Sequence, residues 1–140
     1  MIEINAVISR WRDDGVPLNR EASETELARL AEFCGAPIPA DLRALYSAAN
    51  GMSDNAMDQW QVSFWSIDRL VREQDTMERD GRRWIAFADF LVYSWCFRIL
   101  PNRERTAVLV EATGEEFESI GQFFDRYARD PGSLALLRAG

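Results

Sequence analysis

The spacing of apolar residues changes twice along this chain, and that change limits the possible folds more than any other feature. Apolar residues recur about every 3.6 positions up to residue 49, alternate with polar ones in much of the segment 60–111, and return to helical spacing after residue 119. This order predicts an α+β fold, with a largely antiparallel sheet and helices packed on one side of it. We expect one domain over residues 1–140, an ordinary domain length.

Start and stop signals define the first two helices. An apolar stripe over residues 4–11 predicts the first helix. Ser23 and Glu26 form a capping box that opens the second helix. Gly35 follows that helix at the position where a left-handed residue is favoured.

A third helix and a C-terminal helix have similar signals. Pro39 suits the first position of the third helix, because an amide would be unpaired there, and Asn50-Gly51 ends that helix. Ser119 with Gln122 is a second capping box. The other predicted elements are a strand over 60–65, a short helix over 66–73, a charged loop over 74–83 with an Asp80-Gly81 turn, strands over 84–91, 92–99 and 106–111, a turn over 100–104, and a last helical turn containing Leu134, Leu136 and Leu137.

Two residue types are missing, and their absence excludes most enzyme classes. The chain has no histidine, and all 16 basic residues are arginine. Without histidine there is no Ser-His-Asp or Cys-His machinery and no histidine-bound zinc. Without lysine there is no P-loop and no Schiff-base chemistry. We therefore expect no catalytic residue, no metal and no cofactor; the calcium-loop pattern is also missing between Ser53 and Asp58.

Charge and cysteine content predict the partners and the compartment. A net charge of −7 argues against nucleic acid or an anionic membrane as a direct partner. The cluster of basic residues Arg79, Arg82 and Arg83 is balanced in charge by neighbouring acids, and we interpret it as part of a solvated loop. Cys34 and Cys96, both set among apolar neighbours, are expected to be buried, reduced thiols. With no signal-peptide pattern and no apolar run long enough to span a membrane, a cytoplasmic location is expected.

Several segments together resemble a known family. EFCGAPIP at 32–39, LRALY at 42–46 with NG at 50–51, WIAFAD at 84–89 and IGQFFDRY at 120–127 are similar, in order and spacing, to the motifs of the SUKH superfamily, also called the Smi/Knr family. Ile38 and Cys34 stand where the family usually has leucine, and Met52 replaces a glycine. The residues interpreted as fold determinants of the resemblance are Glu32, Gly35, Pro39, Asn50, Gly51, Phe87, Asp89 and Phe124.

The resemblance implies a non-enzymatic α+β domain. In bacteria such domains often act as immunity proteins, each neutralising a cognate toxin that is frequently a nuclease. Nucleases are basic because they bind phosphate, so an acidic inhibitor is the expected complement. The resemblance therefore points to a basic toxin domain as the partner.

Acidic and aromatic residues are the candidates for a partner-binding surface. Trp84 and Trp95 lie within predicted strands and are expected in the core, whereas Trp60 is expected to be partly exposed. The candidate set joins two loops, and we expect its carboxylates to be solvated. Its members are Asp54, Asp58, Trp60, Glu111, Glu115, Glu116 and Glu118.

Three functions remain open at this point. The first is a toxin-neutralising immunity protein that works by stoichiometric occlusion. The second is a regulatory or scaffold domain that binds an endogenous protein. The third, more remote, is a hydrolase with two carboxylates, one of which would need a raised pKa in an apolar pocket.

Overall fold

The structure, a computed structural model, describes residues 2–136, with side-chain burial from residue 3. Its helices are α1 (Ile2–Asp13), α2 (Glu24–Cys34), α3 (Ala40–Ala48), α4 (Ile67–Glu73) and α5 (Ile120–Arg129), followed by a 3₁₀ turn at Pro131–Leu134. Its strands are β1 (Val62–Phe64), β2 (Thr76–Arg79), β3 (Arg82–Phe90), β4 (Trp95–Pro101), β5 (Thr106–Val110) and β6 (Glu116–Phe117). The predicted final turn is confirmed as far as Leu134, and Leu137 lies outside the described residues.

The strands form one antiparallel sheet in the order β1-β3-β4-β5-β6. One edge of β3 pairs with two strands: β1 along its C-terminal half, where Val62 faces Phe90, and β2 along its N-terminal half, where Thr76 faces Ile85. The other edge of β3 pairs with β4. The predicted α+β class with an antiparallel sheet is confirmed.

An aromatic core joins the sheet to α1 and α5. The ring of Phe64 on β1 lies 4.9–6.3 Å from the rings of Trp11, Phe97, Phe124 and Tyr127. All five side chains are buried. Burying aromatic side chains is among the largest stabilising contributions in a small domain. This core fixes α1 and α5 against one face of the sheet.

The predicted helix signals are confirmed with two local corrections. Ser23 and Glu26 make both bonds of the capping box. Pro39, however, is the N-cap of α3 rather than its first helical residue, because its ψ of 165° is still extended. At α5, Ser119 accepts from the Gln122 amide, but the Gln122 side chain accepts from the amide of Glu118 instead of closing a box on Ser119.

One loop prediction and two strand limits are wrong. Residues 76–79, predicted as a charged loop, form β2 and pair with β3 through the Asp80-Gly81 turn. The strand expected over 92–99 starts only at Trp95, because three preceding residues are left-handed. The strand expected over 60–65 is confined to residues 62–64.

None of the helices in residues 2–136 is long and apolar enough to cross a membrane.

Candidate protein-binding surface

The strand register brings three loops to the same end of the sheet. Val62 faces Phe90, Phe90 faces Trp95, and the Glu111 amide bonds the Cys96 carbonyl. The segments 54–61, 91–94 and 111–115 therefore lie side by side at this end, and we call them the loop-end surface. With strands about 4.8 Å apart, the first and last of these segments are separated by about 14 Å.

Asp58 is not the solvated acid that the sequence suggested. Its side chain is buried, and one carboxylate oxygen accepts from the indole of Trp11 at 3.1 Å and from the hydroxyl of Tyr127. The other oxygen accepts from the amides of Trp60 at 2.9 Å and Val62 at 3.2 Å. Asp58 therefore joins α1 and α5 to the entry of β1, and it is a positioning residue rather than a surface charge.

Burial dominates the electrostatics of this aspartate. Desolvation raises the pKa of Asp58 above its usual range, although its four hydrogen bonds act in the opposite direction. Burial and the neighbouring carboxylate also raise the pKa of Tyr127 well above its ordinary value. Tyr127 therefore stays protonated as a donor to Asp58 at neutral pH.

A cleft of about 470 Å³ lies beside Asp58, between α1 and the end of α5. Asp14 and Asp130 also line it, but both are exposed, so their environments do not resemble that of Asp58. Because Asp58 already accepts from four donors, it is poorly placed to take a proton from a substrate. Within residues 2–136 no group of three potential metal ligands occurs.

The other predicted acids are exposed or half-buried, and arginines hold them in place. Asp54, Glu111 and Glu115 lie on the loop-end surface, whereas Glu116 on β6 faces the β2–β3 hairpin and Glu118 faces the β4–β5 turn. The five pairs and their N–O distances are Asp54–Arg72 at 3.0 Å, Glu111–Arg98 at 2.9 Å, Glu115–Arg126 at 3.2 Å, Glu116–Arg79 at 3.7 Å and Glu118–Arg105 at 3.9 Å.

Tryptophan and cysteine burial only partly follow the sequence expectations. Trp60 is half-buried and lines the Asp58 cleft, and Trp84 is fully buried. Trp95 is only half-buried, because the strand begins there, at the loop end of the sheet.

Cys96 is buried as expected, but Cys34, in the last turn of α2, is half-buried. Burial raises the pKa of Cys34 to about 11 and that of Cys96 to about 12.

Most residues marked by the family resemblance are buried or lie at helix ends. Gly35 is left-handed at the end of α2, and Phe87 and Phe124 are buried in the core. Asn50 accepts from the amide of Ile67 at 2.8 Å and so starts α4. The remaining positions are Glu32, which is exposed, Pro39, which is buried, Gly51, which packs against backbone, and Asp89, which lies beneath the 91–94 segment.

Asp89 anchors a polar network on the sheet face opposite the core. Its carboxylate accepts from the indole of Trp65 at 2.7 Å, from Arg69 at 3.2 Å and from the amide of Tyr93 at 3.0 Å. Alongside it, Arg98 pairs with Asp75 and Glu111, each at 2.9 Å. This network supports the loop-end surface from below.

One component of this surface, the apolar turn at 91–93, was not predicted from the sequence. Leu91, Val92 and Tyr93 are exposed and have φ angles of 49°, 51° and 66°. Their apolar, β-branched and aromatic character is typical of strands, so the local pattern predicted the wrong structure. No signal in the sequence marked this turn.

The chain belongs to the SMI1 / KNR4 family (SUKH-1), which it matches over residues 21–127. Domains of this family are generally non-enzymatic binding domains and commonly immunity proteins. No curated protein sequence matches the chain. The family match includes Asp58, Asp89 and the whole loop-end surface.

Proposed function

We propose that residues 1–140 form one domain that acts in the cytoplasm as an immunity protein, neutralising a cognate bacterial toxin by stoichiometric occlusion. The SUKH-1 family match supports the protein-binding role. Packing of Trp11 and Leu134 into the same core supports a single unit that extends beyond the matched range.

The observation that carries the proposal is the position of the acids. Asp54, Glu111 and Glu115 lie on one surface, each held by an arginine within 3.2 Å. Each arginine orders its acid and offsets part of the charge. The negative charge that remains, on a chain with a net charge of −7, complements a basic protein and increases its rate of encounter. A nuclease domain that binds phosphate is such a protein.

The geometry around Asp58 fits a protein that blocks its partner by binding better than it fits a catalytic site. Within residues 3–136, Asp58 is the one carboxylate that combines a raised pKa with a large cleft, and its oxygens are occupied by Trp11, Tyr127 and two backbone amides. A general acid needs a proton that it can pass to the substrate. Asp58 instead holds the 58–62 segment in shape for contact with a partner.

Gene neighbourhood chooses the probe for the test: a neighbouring gene for a toxin with a variable C-terminal domain favours immunity, and that purified toxin domain is then titrated. Titrating its activity with this chain should reach zero at a molar ratio of one. If activity persists at a large excess, or if one molecule inactivates many toxin molecules, occlusion is wrong. Binding of an endogenous protein, with no effect on the toxin, would favour the regulatory function instead.

A charge-matched pair of double variants tests the surface. Asp54→Asn with Glu115→Gln should slow association about tenfold at low salt and reduce its salt dependence. The control, Glu32→Gln with Glu104→Gln, removes two exposed charges near the α2–α3 link, away from the loop-end surface. Equal association rates for the two double variants would contradict the assignment of this surface.

A further inference from the structure

The large apolar side chains that are exposed in the described part of the chain are concentrated in one place. Among residues 3–136 the exposed large hydrophobic residues are Met57, Leu91, Val92 and Tyr93. Met57, Val92 and Tyr93 line one shallow groove of about 210 Å³, and the Leu91 amide bonds the carbonyl of Gln61. Val92 is 77% exposed. Apolar side chains that cluster on a surface, rather than occurring singly, indicate an interaction site.

The backbone of the 91–93 turn adopts a conformation that its side chains disfavour. Leu91, Val92 and Tyr93 are three successive left-handed residues, and none is glycine or asparagine. A β-branched residue such as Val92 is a pronounced outlier in this region. Strained backbone tends to occur at functional sites, where the surrounding structure holds it.

Hydrogen bonds at both ends hold the turn rigid. Asp89 accepts from the amide of Tyr93 at 3.0 Å, and the Ser94 hydroxyl donates to the carbonyl of Leu91 at 2.8 Å. The Tyr93 hydroxyl donates to Asp75 at 2.7 Å, and its ring lies 5.4 Å from that of Trp65. A turn fixed in advance loses little entropy when it binds.

The charges around the turn select the kind of partner. Asp75 and Glu111 share one arginine, Arg98, so one negative charge remains uncompensated. The side chain of Arg98 is 7% exposed, against 24% for Asp75 and 26% for Glu111. The surface therefore presents negative charge outward, which repels nucleic acid, anionic lipid and a second copy of this chain at −7.

We propose that the 91–93 turn, with Met57 beside it, is the docking element, and that Val92 inserts into an apolar cleft on a basic protein. This inference rests on the proposed function, because it names the part of the surface that carries the affinity. The acids at Asp54, Glu111 and Glu115 increase the rate of encounter, and the apolar turn slows dissociation.

Two substitutions at position 92 test the proposal by biolayer interferometry against a catalytically inactive form of the toxin domain encoded beside this gene. Val92→Asp should raise Kd about 100-fold and Val92→Asn about 30-fold, mainly through faster dissociation. Val92→Asn should at the same time raise Tm, since asparagine tolerates the left-handed region. Ala36→Asp, an exposed control on the α2–α3 link, should leave Kd unchanged.

The other outcomes separate failure of the docking element from failure of the proposed function. If wild type binds the toxin domain and both Val92 variants bind within twofold of it, the docking element is wrong and the proposed function stands. If wild type is a dimer that Val92→Asp converts to a monomer, the patch serves a second copy and the proposal is overturned. If wild type does not bind or inhibit the toxin domain, the proposed function itself fails, and this inference fails with it.

Discussion

Replacing Gly51 by alanine tests whether the Asn-Gly pair at 50–51 is a fold determinant. Gly51 has a φ of 67°, and a Cβ placed on it would lie 2.5 Å from the backbone of Trp65 and Ser66. Gly35 is the matched control, because its φ is 80° but nothing lies within 4 Å of an added Cβ. The two substitutions share the left-handed strain and differ in the steric overlap.

Three contributions set the magnitude of the loss in stability. Left-handed strain costs about 1–2 kcal/mol for an alanine, partly offset by the lower entropy of the unfolded chain. At Gly51 the overlap is with backbone, which cannot rotate away, and overpacking adds about 1–3 kcal/mol. The shift also disturbs the bond from the Met52 amide to the Phe64 carbonyl, at 2.7 Å, worth about 1 kcal/mol. We expect a loss of about 3–5 kcal/mol for Gly51→Ala and about 1 kcal/mol for Gly35→Ala.

Urea unfolding followed by tryptophan fluorescence measures both losses, with the slope m checked for constancy. If Gly51→Ala destabilises no more than Gly35→Ala, the close approach of residue 51 to the Trp65–Ser66 peptide does not determine the fold. A Gly51→Ala variant that fails to fold while Gly35→Ala folds supports the reasoning.

Three further predictions concern buried and strained groups. Burial raises the pKa of Asp58 in the folded state, so the stability of wild type relative to Asp58→Asn should fall as pH rises above about 4. Urea midpoints of the two proteins measure this, and a wild-type midpoint that gains on the Asp58→Asn midpoint as pH rises would contradict it. Val92→Asn should raise the free energy of unfolding by about 1 kcal/mol, and a decrease would show that the turn is not strained. With pKa values of about 11 and 12, Cys34 and Cys96 should react with a disulfide reagent at pH 8 about 100-fold and about 1000-fold slower, respectively, than in urea. Labelling of Cys96 in the native protein as fast as in urea would contradict its burial.

Local signals explain why the helices could be predicted from the sequence. Ser23, Glu26 and Gly35 act within a few positions of the helix ends that they stabilise, so their roles can be inferred without tertiary structure. The grouping of helices and strands likewise predicted the α+β class, which follows from apolar period alone. The boundaries of α3 and β1 depend on neighbours and moved by one or two residues.

Tertiary contacts explain what the sequence could not predict. Asp58 sits in a polar loop, and its donors Trp11 and Tyr127 are 47 and 69 positions away, so nothing local indicated its burial. The charged strand β2 exists because β3 pairs with it. At Val92, strand-favouring residues are forced into a turn by the surrounding structure, chiefly by Asp89 beneath it. The apolar turn at 91–93, the feature that most favours an interaction site, therefore could not be predicted from the sequence.

Hydrogen exchange with and without the neighbouring toxin domain tests the central claim most directly. We predict that binding slows exchange of backbone amides in the segments 54–61 and 91–94, and leaves the 36–38 and 101–103 segments near the α2–α3 link unchanged. Protection confined to the 36–38 and 101–103 segments, with none at 91–94, would contradict the account.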